Sequence, residues 1–296
     1  MADEVPQLIL SAGDRIMQRN IAGEDEMMAD RWELSSPVPG IRILNTWQIY
    51  RGIWLVLAIT EGGQYNIFSS MGLQGYELVH THATEIYGIY YVDDGHALFC
   101  ATDGWWATTD AGKTWAEVTL GGDYVPKART AAIIPLRAGY WAVVAYDQDR
   151  KIYRAVYPGG SWAEEYDTEY TEKWHPALAG CAVGVLAGAG NQLLRSYDTG
   201  ESWEALREVA GTIKSIAISG QSDLPIFLFT IEAEEGDKLF FSHDLGDSLE
   251  QVASRVGAIT SVQAVTPTGT NEMQTIFAVL GKREADGVTQ FRIIQE

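Results

Sequence analysis

Thr108-Thr109-Asp110-Ala111-Gly112-Lys113-Thr114-Trp115 recurs as Ser196-Tyr197-Asp198-Thr199-Gly200-Glu201-Ser202-Trp203 and as Ser242-His243-Asp244-Leu245-Gly246-Asp247-Ser248-Leu249. The shared pattern is a hydroxyl residue, any residue, Asp, any, Gly, any, Ser or Thr, then a large apolar residue. Each part suits a tight turn between strands. An Asp carboxylate accepts backbone N–H groups across the turn, and Gly adopts φ > 0 without a steric penalty. The closing side chain starts the next strand and buries a large apolar area beside the turn. Three copies at near-regular spacing predict a repeat architecture.

Weaker copies extend the series. Ser69-Ser70-Met71-Gly72-Leu73-Gln74-Gly75-Tyr76 has Met for Asp, and Ala155-Val156-Tyr157-Pro158-Gly159-Gly160-Ser161-Trp162 keeps the Gly, the Ser and the Trp. The closing positions Tyr76, Trp115, Trp162, Trp203 and Leu249 are 39, 47, 41 and 46 residues apart. That spacing suits a four-stranded propeller blade. The pattern resembles the Asp-box (BNR) repeat of sialidase-like β-propellers. The resemblance implies an all-β propeller with the boxes on its outer rim, where Thr108, Asp110, Gly112, Trp115, Ser196, Asp198, Gly200, Trp203, Ser242, Asp244 and Gly246 are structural.

Between the boxes run apolar segments rich in β-branched and aromatic residues, separated by turn formers. Second strands are expected at Trp54–Thr60, Ala97–Thr102, Trp141–Tyr146, Val183–Ala187, Ile226–Ile231 and Thr275–Leu280. Third strands are expected at Tyr65–Ser69, Trp105–Thr109, Ile152–Val156, Leu193–Tyr197, Leu239–His243 and Thr289–Ile294. No segment carries a sustained helical period. Arg31-Trp32-Glu33-Leu34-Ser35 matches the segment after each box, and Trp32 lies six repeats of 44 before Glu296. This predicts a six-bladed propeller over 31–296 whose ring is closed by the strand near Trp32, removing open sheet edges. Residues 1–30 then form an N-terminal extension or docking arm. The alternative is seven blades, with Gln7–Asp30 contributing a degenerate one.

A formal charge of −19 and a pI near 4.6 argue against nucleic acid and against anionic membrane surfaces. Cys100 and Cys181 are too few for a disulfide framework and read as buried strand thiols. The acidic start and the short Leu8–Leu10 run do not form a secretory signal, and no stretch approaches membrane-spanning length. The expectation is a soluble protein of the cytoplasm or a virion, without membrane insertion.

The resemblance raises sialidase chemistry, which implies an arginine triad. Arg42, within Ile41-Arg42-Ile43-Leu44, falls near the family's first arginine but lacks its flanking aromatic and Pro. Arg129 lies on a later inner strand, and Arg42, as a channel-lining or rim residue, and Arg129 are expected among the binding residues. The inner strands near 176–182, 212–219 and 258–265 hold only Lys214, which cannot make the bidentate contact of a guanidinium. No catalytic residue is assigned. His80 and His82 would share one strand face, and a chance solvent-exposed pair is the plainer reading than a zinc site. No metal or cofactor site is expected.

One connection stands out. The segment 166–176 carries Tyr166, Tyr170, Trp174 and His175 among three acids, and Trp105-Trp106 follows a turn expected on the same face. Aromatics and acids at a propeller mouth suit peptide or carbohydrate contact. The plainer reading is that at least one of the two tryptophans packs between blades. Together these features predict a non-enzymatic scaffold or recognition propeller with protein partners, specifically a bacteriophage virion or tail component. A glycan-active hydrolase and a photosystem-assembly-factor-like propeller are the alternatives.

Overall fold

The computed structural model describes residues 7–12, 15–20, 33–35, 41–50, 53–71, 75–93, 95–122, 124–168, 177–221, 224–252, 258–265, 276–282 and 289–295. All regular structure among them is β-strand. The first sheet holds β1 (Gln7–Ala12), β2 (Arg15–Asn20) and β3 (Glu33–Ser35). The second holds β4 (Ile41–Tyr50), β5 (Ile53–Thr60), β6 (Tyr65–Met71) and β7 (Glu77–His82). The third holds β8 (Ile86–Asp93), β9 (His96–Ala101), β10 (Gly104–Thr108) and β11 (Ala116–Val118). The fourth has β12 (Ala128–Arg137), β13 (Tyr140–Asp147), β14 (Lys151–Tyr157) and β15 (Ala163–Asp167), and the fifth β16 (Ala177–Cys181), β17 (Gly184–Ala189), β18 (Gln192–Ser196) and β19 (Glu204–Glu208). The sixth has β20 (Thr212–Gln221), β21 (Leu224–Ala233), β22 (Gly236–Ser242) and β23 (Glu250–Val252), and the seventh β24 (Ala258–Val265), β25 (Ile276–Lys282) and β26 (Thr289–Gln295). Within the sheets, every described strand pairing is antiparallel between sequence neighbours, and an isolated parallel bridge joins Gly121 to Ser161. The chain forms two compact units, 1–120 with the first three sheets and 121–296 with the other four.

The second strands explain why the sheets stack. Leu55, Val56, Leu57 and Ala58 of β5 are all at most 2% exposed, and Ala142 to Tyr146 of β13 are fully buried. A strand buried on both faces needs a neighbour on each, which is why these runs are continuously apolar rather than alternating. Leu55, Leu57 and Ile67 of the second sheet pack with Ile89 and Phe99 of the third. Ile134 and Val144 of the fourth pack with Val185 and Leu194 of the fifth. Leu186 and Leu193 of the fifth meet Phe227 and Phe229 of the sixth, and Leu228 of the sixth meets Ile259 of the seventh.

The three quoted repeats fold alike. Thr108 Oγ1 accepts the Gly112 N–H at 2.9 Å and donates to Asp110 Oδ1 at 2.8 Å. Asp110 accepts the Thr114 N–H at 2.9 Å and its hydroxyl at 2.6 Å. The corresponding four bonds in the second repeat are 2.8, 2.8, 2.8 and 2.5 Å, and in the third 2.8, 2.9, 2.8 and 2.6 Å. Trp115 and Trp203 add an indole N–H bond to the carbonyls of Gly112 and Gly200. The residue after each Asp is left-handed (Ala111, Thr199 and Leu245 at φ 60°, 57° and 53°), and so is each Gly, at 86° to 90°.

Partial burial works to raise the Asp198 pKa, but hydrogen bonds from Ser202 and Ser196 outweigh it and hold the carboxyl down at about 2. Asp110 and Asp244 are lowered for the same reasons. The three carboxylates are therefore spent on their own turns. Asp198→Ala is expected to cost about 1 kcal/mol at neutral pH, since an exposed carboxylate with several bonds returns part of its worth to water. A depressed carboxyl pKa stabilises the folded state above the ordinary value of 3.8 and ceases to as pH falls through about 2. Urea midpoints of wild type and Asp198→Ala should therefore converge as the pH is lowered over that window.

Each repeat also clasps the preceding sheet. A Cβ on Gly112 would stand 2.6 Å from Leu55 of β5, on Gly200 2.7 Å from Val144 of β13, and on Gly246 2.8 Å from Leu193 of β18. Two arginines secure the second and third clasps. Arg154 on β14 donates to the Thr199 carbonyl at 3.1 Å and pairs with Glu201 at 2.8 Å. Arg195 on β18 donates to the Leu245 carbonyl at 3.4 Å and pairs with Asp247 at 2.7 Å. The closing Trp115, Trp203 and Leu249 pack into the clusters shared with the sheets before them. In the fourth sheet the degenerate turn is tied instead to its own incoming segment, with Gly121 N–H on the Gly160 carbonyl at 2.9 Å and Trp162 N–H on the Gly121 carbonyl at 2.7 Å.

The twelve expected second and third strands agree with the observed ones to within three residues at each end. The ring closure differs. Trp32 lies outside the described residues, and the strand after it, Glu33–Ser35, pairs with Gln18, Met17 and Ile16 of β2 rather than with β26. Residues 7–20 accordingly form a hairpin within a seventh sheet, the arrangement anticipated by the seven-blade alternative. β1 and β2 pair closely, from Gln7 with Asn20 to Ala12 with Arg15, so a short N-terminal segment suffices for both strands. Neither thiol is in a disulfide; Cys100 is buried as expected, but Cys181 at the end of β16 is only half-buried.

Candidate functional site

The residues that sequence reasoning selected for binding differ in their burial. Trp105 is 1% exposed and stacks on Tyr90 at 5.7 Å, so it is core and offers no surface to a ligand. Trp106, on the opposite face of β10, is half-buried among Phe99, His80 and His82. Tyr166 is half-buried against the cluster between the fourth and fifth sheets. Tyr170, Trp174 and His175 lie outside the described residues. Arg42 and Arg129 are exposed, on β4 in one unit and β12 in the other. The expected aromatic mouth is thus reduced, among the described residues, to half-buried side chains.

A different group of side chains is exposed. In the second unit Leu136 (41%) and Tyr140 (36%) flank the turn between β12 and β13, Val183 (36%) sits in the turn between β16 and β17, and Tyr197 (57%) follows β18 directly. In an antiparallel meander the first-to-second and third-to-fourth connections emerge at one end of the sheet, so these four share that end. The Thr130 hydroxyl bonds to the Leu178 carbonyl at 3.3 Å, joining the starts of the first strands β12 and β16. The two sheets therefore stand side by side in the same sense, and their apolar ends coincide. Each tyrosine carries a guanidinium on its ring, Arg137 at 4.2 Å over Tyr140 and Arg195 at 4.6 Å over Tyr197. Stacked Tyr–Arg pairs beside exposed aliphatics match the side chains enriched at protein interfaces.

The opposite end of the fourth sheet is built differently. Asp147, fully buried, accepts the Tyr124 hydroxyl at 2.5 Å and the Lys127 N–H at 2.9 Å, fixing the segment that enters β12. Burial pushes the Asp147 carboxyl up, partly offset by the Tyr124 bond. Tyr153 donates to Asp149 at 2.7 Å. These polar groups are engaged with one another, and Tyr124 and Val125 are the large apolar residues exposed there among the described ones.

The histidine pair is not the exposed chance pair expected from sequence. His82 is 5% exposed, and its Nε2 lies 2.8 Å from Asp103 Oδ1, which also accepts the Thr84 hydroxyl at 3.0 Å. His80 is half-buried, its Nε2 3.4 Å from His82 Nδ1. Burial, then the neighbouring His82, lowers the His80 pKa, while burial raises and the bonds from His82 and Thr84 more strongly lower that of Asp103. The sequence signal for this group was the i, i+2 spacing on one strand; the Asp103 partner comes from the next sheet's turn and had no signal.

No family model and no curated protein matches the sequence. Similar folds exist among solved structures. YCF48 from Cyanidioschyzon merolae aligns with a TM-score of 0.56 at 14% identity, over 87% of this chain and 86% of that one. BBS1N, solved in complex with ARL6DN, aligns with a TM-score of 0.67 at 13% identity, over 98% and 87%. An ancestral GH74 enzyme aligns with a TM-score of 0.58 at 10% identity, over 88% of this chain but 39% of its own length. The fold is a β-propeller. At such identities the likeness is one of fold, and this propeller's activity has to be argued from its own side chains. No helix among the described residues is long and apolar enough to cross a membrane.

Proposed function

We propose that this propeller is a non-catalytic protein-binding module, and that it binds through the exposed ends of its fourth and fifth sheets. The observation that carries the reading is the group Leu136, Tyr140, Val183 and Tyr197, exposed together with Arg137 and Arg195 stacked on the two tyrosines. Such a group gives large apolar contact at low entropic cost, because a tyrosine held by a stacked guanidinium has little rotamer freedom left to lose. Two of the similar folds were solved with protein ligands, YCF48 with a D1 peptide and BBS1N with ARL6DN, which supports recognition as the use of this one. We also read the three clasping turns as Asp boxes of the sialidase-like kind, on their Ser/Thr-x-Asp-x-Gly-x-Ser/Thr pattern and bonding. In that reading they build the scaffold and take no part in chemistry. The virion assignment made from sequence gains no support from these folds, and the proposal is drawn without it.

The test is comparative affinity capture from the source organism with wild type and a Tyr140→Asp/Tyr197→Asp double variant. Both residues are on the surface, so the variant should keep its melting temperature within about 2 °C. Proteins retained by wild type should be depleted at least tenfold on the variant. Equal retention by both would sink the reading.

A further inference from the structure

Independently of the protein-binding surface, we propose that His80 and His82 form a chelating site for a divalent first-row transition ion, with Asp103 orienting the inner histidine. The pair lies on β7 at positions i and i+2, so both rings leave the same face of the strand. His80 Nε2 and His82 Nδ1 are 3.4 Å apart. Two imidazole nitrogens at about 2.0–2.1 Å from a tetrahedral ion stand roughly 3.4 Å from each other. The spacing therefore also fits two ligands of one ion, which would replace the His80–His82 contact.

The arrangement around the pair is that of a supported ligand. The Asp103 carboxylate accepts from His82 Nε2 at 2.8 Å, and Thr84 holds the same carboxylate oxygen at 3.0 Å. With its proton fixed on Nε2, His82 presents its Nδ1 lone pair towards His80. A carboxylate on the far nitrogen is the common way of fixing the tautomer of a metal-bound histidine and raising its basicity. His80 needs only to carry its proton on Nδ1 for its Nε2 lone pair to join. Phe99 and Trp115 wall the pair, at 5.6 and 6.3 Å from the His80 ring, and limit its motion. Trp106 lies against both rings, and its buried indole N–H has no hydrogen-bond partner. A water held by an ion at this pair is the kind of acceptor that a buried donor of this sort lacks. No group of three or more His, Cys, Asp or Glu among the described residues is placed to hold a metal, so water completes the shell and the affinity is set by two imidazoles. Imidazole donors select zinc, copper and nickel over magnesium and calcium.

The experiment is calorimetric titration of the full chain with Zn2+, followed by Cu2+ loading and electron paramagnetic resonance. The expected result is one site of micromolar order and copper hyperfine structure from two nitrogens. His80→Gln and His82→Gln should each weaken Zn2+ binding at least tenfold, and Asp103→Asn about tenfold, as for other outer partners of metal-bound histidines. Because His82 is buried, circular dichroism checks the fold of each variant, and the half-exposed His80→Gln serves alone where His82→Gln does not fold. Magnesium should give no heat. Absence of Zn2+ binding, or binding that survives His80→Gln at full strength and so belongs to another group, such as Cys181 or His96 with Asp93 at the β8–β9 turn, would overturn the proposal.

Discussion

Gly200→Ala is expected to lower the melting temperature by on the order of 10 °C. Two costs add. The residue sits at φ +90°, where a Cβ costs about 1–3 kcal/mol, and the added methyl would stand 2.7 Å and 3.1 Å from the two methyls of Val144. Val144 is fully buried and β-branched, so it cannot swing aside, and overpacking of this kind costs about 1–3 kcal/mol more. At about 2–4 °C per kcal/mol for a unit of this size, the sum gives the stated shift. Gly139→Ala separates the two terms. That residue is also left-handed, at φ +74°, but nothing lies within 4 Å of its Cβ position, so it should lose only the conformational part. Equal losses at the two sites, read by differential scanning calorimetry, would show that the turn does not press on the neighbouring sheet.

Arg195→Ala is expected to cost about 2–3 kcal/mol. The guanidinium is 10% exposed and donates to Glu204 at 2.9 and 2.7 Å, to Asp247 at 2.7 Å and to the Leu245 carbonyl at 3.4 Å. Both carboxylate partners are more than half exposed and would rehydrate, which keeps the loss below that of a fully buried pair. Lysine should recover less than half of it, because a single ammonium cannot serve Glu204 and Asp247 at once. A double-mutant cycle with Asp247→Ala in chemical denaturation should give a coupling of about 1 kcal/mol. Zero coupling would mean that the arginine stabilises its own sheet and does not clasp the next.

These clasps are partly legible in the sequence. Arg154 stands eight residues before Trp162, and Arg195 eight before Trp203. The repeat that follows each carries an acid directly after its Gly, Glu201 and Asp247. Phe68 stands eight residues before Tyr76, and the next repeat has Lys113 in place of the acid. Arginine and acid thus occur together or not at all, a pattern that spans two repeats and escapes a search within one. The strands were legible because burial on both faces demands uninterrupted apolar runs. The pairing of Glu33–Ser35 was not. A three-residue edge strand reads alike beside β2 or β26, and only the hairpin formed by residues 7–20 decides between them.

The candidate site was less legible than the fold. Trp105 and Trp106 are adjacent in sequence, yet one is core and the other half-buried, since successive strand residues face opposite ways. Tyr197 occupies an unconstrained position of the repeat, where the pattern carries no information. Its exposure follows from the turn geometry, and its stacked partner Arg195 is held in place by the clasp. That arginine joins the clasp to the exposed tyrosine.

Oxidative footprinting of the second unit's tyrosines, comparing the isolated chain with the assembly recovered from its source, tests the central claim most directly. Protein binding at the ends of the fourth and fifth sheets predicts that modification of Tyr140 and Tyr197 falls several-fold on assembly while Tyr124, at the opposite end, is unchanged. Protection of Tyr124 with Tyr140 and Tyr197 left fully reactive would contradict it.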